Sequence, residues 1–358
     1  MVSRDKLAHS LSTLRHFIDN SLGLSREKHD LVGFELSEPL LDAAAYNTYL
    51  ETVSNKADTI YAHAKKVMTE MITHAYLECV KRLSPRFEWT TKSAMLAFDY
   101  TDEDFYGEVQ GLDIHGWKKG EAITGTFKFL TCSLISDEIP QKIPLISIPI
   151  QIGHNMSYAV VYCIKAIETY IGKIELILFD RGFYAKELMY DLQKLNFPYL
   201  ILARKGKEDN YITEEFANME KDEKKIIPHL YELNKDKTCC EFESKLVFLK
   251  SIFTESLDKE IDWLFATSLE EIQLDTIIQT YRKRWRIETQ FRVQDEALIK
   301  CKSKEMNVRY FLFAFEQLLQ SIWACFYKEE VPFKEFLIEM HKVNNDLVAH
   351  PRKSYGKA

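Results

Sequence analysis

Two short apolar runs constrain this chain more than any other feature, because each of them runs straight into an aspartate. Ala94–Phe98 (AMLAF) is followed by Asp99, and Ile174–Phe179 (IELILF) is followed by Asp180. Runs of this length, rich in apolar and aromatic residues, read as buried strands. A carboxylate is not tolerated inside such a strand without a partner, so the acids belong at the edge of the sheet. Gly182, two residues after Asp180, allows a tight turn into the next element.

The segments between and after these runs predict the sheet. Ala122–Ile135 and Ile143–Ile152 are rich in Thr, Phe and Ile and read as strands, so the first three strands form an antiparallel meander. Asn155–Tyr170 reads as a helix, Ala185–Leu195 as an amphipathic helix, and Tyr199–Ala203 as another buried strand. The predicted order is β-β-β-α-β-α-β, the order of a ribonuclease-H-like domain, in which the first and fourth strands lie side by side. Asp99 and Asp180 then stand close together at one sheet edge. Two carboxylates at that distance repel, and a divalent cation relieves the repulsion. An ordinary acidic turn is the alternative for the first segment, since Asp102, Glu103, Asp104 and Glu108 follow closely.

The expected fold class is mixed α/β. A helical N-terminal region (1–90) precedes the ribonuclease-H-like domain (91–330), and a C-terminal helix and tail (331–358) follow it. In the N-terminal region, Leu7, Leu11, Leu14 and Phe17 recur at helical spacing, as do apolar residues from Ala57 to Leu83. Gly33–Pro39 reads as a loop between them. A DNA-binding helix-turn-helix and a plain helical bundle both fit this region. Residues 205–257 are charged and strand-like and read as an inserted β-rich subdomain. Trp263–Thr267 returns to a core strand, and Leu269–Tyr281 reads as a helix. The aromatic stripe from Asn307 to Tyr327 reads as core, and the tail beyond His350 as frayed.

A third acid lies in Tyr281–Lys300 (YRKRWRIETQFRVQDEALIK), which has no Gly or Pro and reads as one helix or two short ones joined near Trp285. Tyr281, Arg284 and Glu288 stand at i, i+3 and i+7 and share a face, which Arg292 continues. Around Glu288 lie Arg282, Lys283, Arg284, Arg286 and Arg292. This local basic excess stands against a formal net charge of −7. A solvated helix laced by i,i+4 ion pairs would produce the same pattern, and so would a carboxylate set for metal or phosphate. Trp285 reads as a core anchor, and Arg181 as either a phosphate contact or an ion-pair partner of Asp180.

Composition narrows the classes. The acidic average counts mildly against nucleic acid, although a basic groove can hide within it. No apolar run is long enough to cross a membrane, and MVSRDKLAHS lacks the apolar core of a signal peptide. The seven Cys are scattered with no CxxC pair, which points to a reducing compartment. The expected location is cytoplasmic, or nucleoid-associated in a prokaryote.

LAFDYTDEDFYG, ILFDRGFY and YRKRWRIETQFR, in this order, resemble the DDE transposases, and more narrowly those of the insertion-sequence-four type. Tyr281, Arg284 and Glu288 match that group's Tyr-x2-Arg-x3-Glu signature. The resemblance runs from about Lys92 to Trp323. It implies that Asp99, Asp180 and Glu288 hold two Mg²⁺ or Mn²⁺ ions per active site, with Asp99 preferred to Asp102. It further implies DNA contacts by Tyr281, Lys283, Arg284, Arg286 and Arg292, cleavage at insertion-sequence ends, strand transfer into target DNA, and a homodimer on double-stranded DNA. One position departs from the group: Asp295 stands where its full signature has Lys, seven residues after Glu288. A decayed or domesticated DNA-binding relative, or a same-fold nuclease that does not transpose, is the alternative.

Overall fold

The structure is a computed structural model that describes residues 4–24, 29–116, 122–204, 210–235, 238–254 and 258–349. The chain opens with five helices: α1 (Arg4–Ser21), α2 (His29–Tyr46), α3 (Leu50–Val53), α4 (Ala57–Ala64) and α5 (Thr69–Leu83). The strands β1 (Ala94–Phe105), β2 (Ile114–Gly116), β3 (Gly125–Leu134) and β4 (Pro144–Ile150) follow, then α6 (Met156–Ile167), β5 (Ile174–Phe179), α7 (Lys186–Lys194) and β6 (Tyr199–Leu202). Next come α8 (Asn210–Asn218), β7 (Lys224–Lys235), β8 (Thr238–Thr254) and β9 (Lys259–Thr267). The chain ends with α9 (Ile277–Arg282), α10 (Trp285–Gln294), α11 (Met306–Phe326) and α12 (Phe333–Ala349).

Among the described residues, nine strands form one sheet in the order β2-β3-β1-β5-β6-β9-β8-β7, with β4 also on β3. β1, β3 and β4 are the antiparallel meander, and β5 and β6 add parallel to β1. This is a ribonuclease-H-like arrangement within a mixed α/β chain. Side chains alternate across the sheet. Leu176 and Leu178 of β5 pack on one face with Ala97, Phe265, Tyr281 and Ile287, whereas Ile177 and Phe179 pack on the other with Leu96 and Phe98. The helices α9 and α10 therefore cover one face, and α6, α7, α11 and the N-terminal helices share the core of the other.

Several elements differ from the sequence reading. Gly33–Pro39 lies inside α2, which carries Pro39 within the helix. Leu36, Leu40, Leu41 and Ala43 are buried there, and that packing outweighs two weak helix formers. β1 runs on past Asp99 to Phe105 because β3 continues to pair with it, with Asp102 opposite Lys128. Only the parallel pairing with β5 stops at Phe98. The region 205–257 begins with α8, and its β7–β8 hairpin joins β9 as part of the same sheet. Leu269–Thr276 is irregular, and only Ile277–Arg282 is helical. The tail beyond His350 lies outside the described residues.

The terminal helices belong to the same core as the sheet. Phe17 of α1 stacks on Phe311 of α11 at 5.7 Å, and the Tyr76 hydroxyl donates to the Pro144 carbonyl at 2.8 Å. Ser37 of α2 donates to Asn344 of α12 at 3.0 Å. Phe129 of β3 stacks on Phe313 at 4.1 Å. α11 is buried along most of its length, which is why its aromatic stripe needs no ligand to explain it.

Within this core, α11 carries one acid, Glu316, 2% exposed. It accepts from the Ile299 amide at 2.7 Å and from Gln294 at 3.5 Å. Glu103 of β1 faces it, with Arg309 at 3.8 Å as its cation. Burial pushes both carboxyls up; Arg309 opposes this for Glu103, while Asp295 and Asp104 reinforce it. The folded state therefore binds more protons than the unfolded chain above the ordinary Glu range, and stability falls as pH rises through that window toward neutrality. Glu316→Gln keeps an acceptor for Ile299 and removes one charge. It is expected to melt about 3 °C above the parent at pH 8 and to converge with it at pH 5. Thermal melts at the two pH values check this, and a variant that melts below the parent at pH 8 contradicts it.

Candidate active site

The site lies where the β1–β5 pairing ends. Phe98 is in register with Phe179, so Asp99 and Asp180 each follow the last pair of two adjacent parallel strands, which lie about 4.8 Å apart where they pair. An aromatic stack fixes the two segments to each other. Phe98 lies on Phe179 at 5.3 Å, and Tyr100, just after Asp99, lies on Phe183, just after the Asp180 turn, at 5.0 Å. The Tyr100 hydroxyl is 2.9 Å from His154 Nε2.

Asp180 caps the short turn Arg181–Phe183 by accepting from the Gly182 amide at 2.6 Å. A Cβ on Gly182 would stand 2.8 Å from Asp180 Oδ1, so a larger residue here would displace the Asp180 carboxylate from its present position. Asp99 accepts from the Tyr100 amide at 2.9 Å and, through Oδ2, from Arg284 at 2.7 Å. Burial raises its carboxyl to about 6; Arg284 works against that rise, and the charges of Asp180 and Glu288 add to it.

The third element comes from α9 and α10. They are joined at Lys283–Arg284 by tight i→i+3 bonds, Arg284 N to Tyr281 O and Ile287 N to Arg284 O, each 3.0 Å. Glu288 sits in the first turn of α10, where the helix dipole favours an anion. Arg284 donates to Glu288 at 2.5 Å as well as to Asp99, so one guanidinium bridges the two acids. Arg284 is 7% exposed, its Nε has no hydrogen-bond partner among the described residues, and its plane lies 6.0 Å from the Tyr281 ring centre. Tyr281 itself is buried against Trp263 and Phe265.

The predicted site residues thus divide. Asp99, Asp180, Arg284, Glu288 and Tyr281 come together at one sheet edge. Lys283 and Arg286 point elsewhere: both pair with Asp137, at 2.5 and 2.6 Å, and hold its carboxyl down to about 2. Arg286 also donates to the Ile135 carbonyl at 2.5 Å. Arg292 is exposed. Asp102 is paired with Lys128 at 3.5 Å. Trp285 is not a core anchor; it is 37% exposed, with Arg282 5.8 Å over its ring, because the buried face of α10 is Ile287, Gln290 and Gln294. The role of Asp137 had no signal in the sequence, since its partners are about 150 residues away.

Asp99, Asp180 and Glu288 are the oxygen donors that suit a hard divalent cation. Among the described residues no three His, Cys, Asp or Glu side chains converge as a ligand cluster. Arg284 lies between Asp99 and Glu288 and donates to both. The donor chemistry fits a divalent ion that displaces the guanidinium. Removing one partner of a buried pair costs roughly 3–5 kcal/mol, and a cation can offset that cost. Arg284→Gln is expected to melt several degrees below the parent in chelator, and Mn²⁺ is expected to raise its melting temperature more than the parent's. Equal melting in chelator, or equal Mn²⁺ shifts, would contradict the bridge.

Residues 155–319 match the family model described as "Transposase DDE domain". No curated protein sequence matches the chain. The fold is similar to that of a solved piggyBac transposase synaptic complex with hairpin DNA, at a TM-score of 0.59 and 12% identity, covering 98% of this chain and 80% of that one. The family match spans α6 to α11 and includes Asp180 and Glu288, while Asp99 lies before it. Residues 155–319, from α6 into α11, are thus similar to the transposase DDE domain, and the whole chain shares the fold of a solved transposase.

Proposed function

We propose that this chain is a transposase of the insertion-sequence-four type, which cuts DNA at the ends of its element and joins the freed strand to target DNA. The observation that carries this reading is the parallel β1–β5 register, which sets Asp99 beside Asp180 and within one guanidinium of Glu288. Asp99, Asp180 and Glu288 are the residues that would hold two Mg²⁺ or Mn²⁺ ions. When bound, such ions activate the attacking water or 3′-hydroxyl and stabilise the leaving oxygen of an in-line phosphoryl displacement.

The chain's own residues supply position and charge. The Gly182 amide orients Asp180, and the Tyr100 amide orients Asp99. Arg284 is a planar donor fork matched to a phosphate oxygen pair, and it becomes free for that role once the acids have another cation. Arg292, exposed one turn after Glu288, extends the basic track. Lys283 and Arg286 contribute after exchanging Asp137 for a phosphate. Pairing of two element ends implies a homodimer on DNA, in the cytoplasm or on the nucleoid of a prokaryote.

A second reading, a DNA-binding relative that no longer transposes, is favoured by one observation. Asp295 stands in place of the group's Lys, and it adds negative charge beside Glu103 and Glu316 rather than a phosphate contact.

The test is cleavage of a duplex carrying the element's flanking ends in Mg²⁺ or Mn²⁺. Asp180→Asn and Glu288→Gln are each expected to lower the cleavage rate at least 100-fold with the far-ultraviolet circular dichroism unchanged. Undiminished cutting by both variants would remove the triad assignment. End binding without cutting by the parent would favour the second reading.

A further inference from the structure

A cleft of about 670 Å³ opens next to the Asp180 turn, lined by Arg181, Arg204, Lys259, Glu260, Ile261 and Asp262. It is built by the same sheet edge as the acids. Asp99 follows β1's parallel register, Asp180 follows β5, and Arg204 lies two residues beyond the end of β6. β6 then pairs with β9, whose first residues, Lys259–Asp262, form the far wall. Ligands of open sheets with parallel strands gather at the carboxyl ends of those strands, and here the edge changes sign along its length. It carries carboxylates over β1 and β5, Arg204 after β6, and both signs of charge at the start of β9.

The charges inside the cleft are unequally matched. Glu260 is paired with Lys221, and Asp262 accepts from Lys250 at 3.4 Å and from the Ser251 amide at 2.9 Å. Both carboxylates of the wall are thus satisfied from outside the cleft. Arg181, Arg204 and Lys259 have no ion-pair partner among the described residues. Arg204 Nε donates to the Arg181 carbonyl at 3.2 Å, which ties the end of β6 to the Asp180 turn and leaves its two terminal nitrogens free to bind an anion. Three cations without counterions around a concave space select an anion, and two planar forks suit phosphate oxygens.

We propose that this cleft seats backbone phosphates of the DNA strand that runs along the sheet edge from the Asp99–Asp180 centre toward β9. The proposal rests on the DNA-processing reading above and adds the path of the strand: past Arg181, between Arg204 and Lys259, with strands β1 to β9 spanning three spacings of about 4.8 Å each. Arg181 joins the two halves of the edge, since it follows Asp180 directly and lines the cleft. It is a phosphate contact in this scheme and not the ion-pair partner of Asp180.

The test is fluorescence anisotropy of a labelled mixed-sequence duplex in chelator, where no cutting occurs, across a series of salt concentrations. The full-length parent is compared with Arg204→Gln/Lys259→Gln, and with Lys165→Gln, which removes an α6 cation paired with Glu168 at 2.9 Å. Loss of two phosphate contacts is expected to weaken binding and to flatten the slope of log affinity against log salt by about two, whereas Lys165→Gln leaves the slope at the parent's value. Equal slopes in the parent and the double variant would overturn the proposal while leaving the transposase reading intact. Failure of the parent to bind or cut duplex DNA would overturn both. Binding of inorganic phosphate that is lost in the double variant, with the duplex slope unchanged, would overturn the backbone assignment in favour of a small free anion.

Discussion

The parallel pairing of β1 with β5 is the interaction on which the rest of this structure depends. Its register, Phe98 opposite Phe179, decides that Asp99, still paired with β3, and Asp180, just past the end of β5, stand side by side. A slip of one residue would send one of the acids to the opposite face. The register is held by apolar packing on both faces, and by the aromatic stack of Phe98, Phe179, Phe183 and Tyr100 that brackets both acids. Such ring pairs contribute about 0.5–1.5 kcal/mol each beyond their burial. The stack therefore does at the site what the apolar core does elsewhere: it fixes geometry that the carboxylates by themselves oppose.

Charge is arranged against that opposition. Burial and the neighbouring acids disfavour ionised Asp99, and Arg284 is the main group that counters them, with the Tyr100 amide second. Its guanidinium is itself buried and stacked near Tyr281, so the pair is placed by the packing of α9 on β9 rather than by solvent-exposed attraction. The tight junction at Lys283–Arg284 sends Arg284 inward and its two neighbours outward to Asp137. One helical junction thereby divides a basic run into an internal cation and an outer basic pair.

Much of this was legible in the sequence where one residue's type decides its place. Apolar runs ending on Asp99 and Asp180 identified the strands, and i, i+3, i+7 spacing put Tyr281, Arg284 and Glu288 on one face. What was not legible depends on partners distant in the chain. Ala94–Phe98 looks like a finished strand, but β3 holds β1 in extended form to Phe105, and nothing local records that. Trp285 looks like an anchor by type, yet Ile287, Gln290 and Gln294 take the buried face, so polar residues lie where an apolar pattern was sought. Pro39 looks like a break, but the packing of α2 on α1 and α12 overrides it. The cleft at Arg204 and Lys259 is assembled from residues more than fifty apart, and only the β6–β9 pairing brings them together.

The acidic average of the chain also takes on a physical meaning at this edge. A net charge of −7 would repel a polyanion approached as a whole. Counter-ions inside the protein change that picture locally, because several acids are matched: Asp137 by Lys283 and Arg286, Asp102 by Lys128, Glu260 by Lys221, Asp262 by Lys250. Three cations without such partners among the described residues, Arg181, Arg204 and Lys259, line one cleft, and Arg181 directly follows Asp180, the one acid of the triad that Arg284 does not bridge. At distances within a Debye length of about 8 Å, that local field outweighs charges on the far side of the molecule. In the proposed reading, an anionic strand would be drawn to the sheet edge at the place where Asp180 stands, and the protein's overall acidity would discourage its attachment elsewhere.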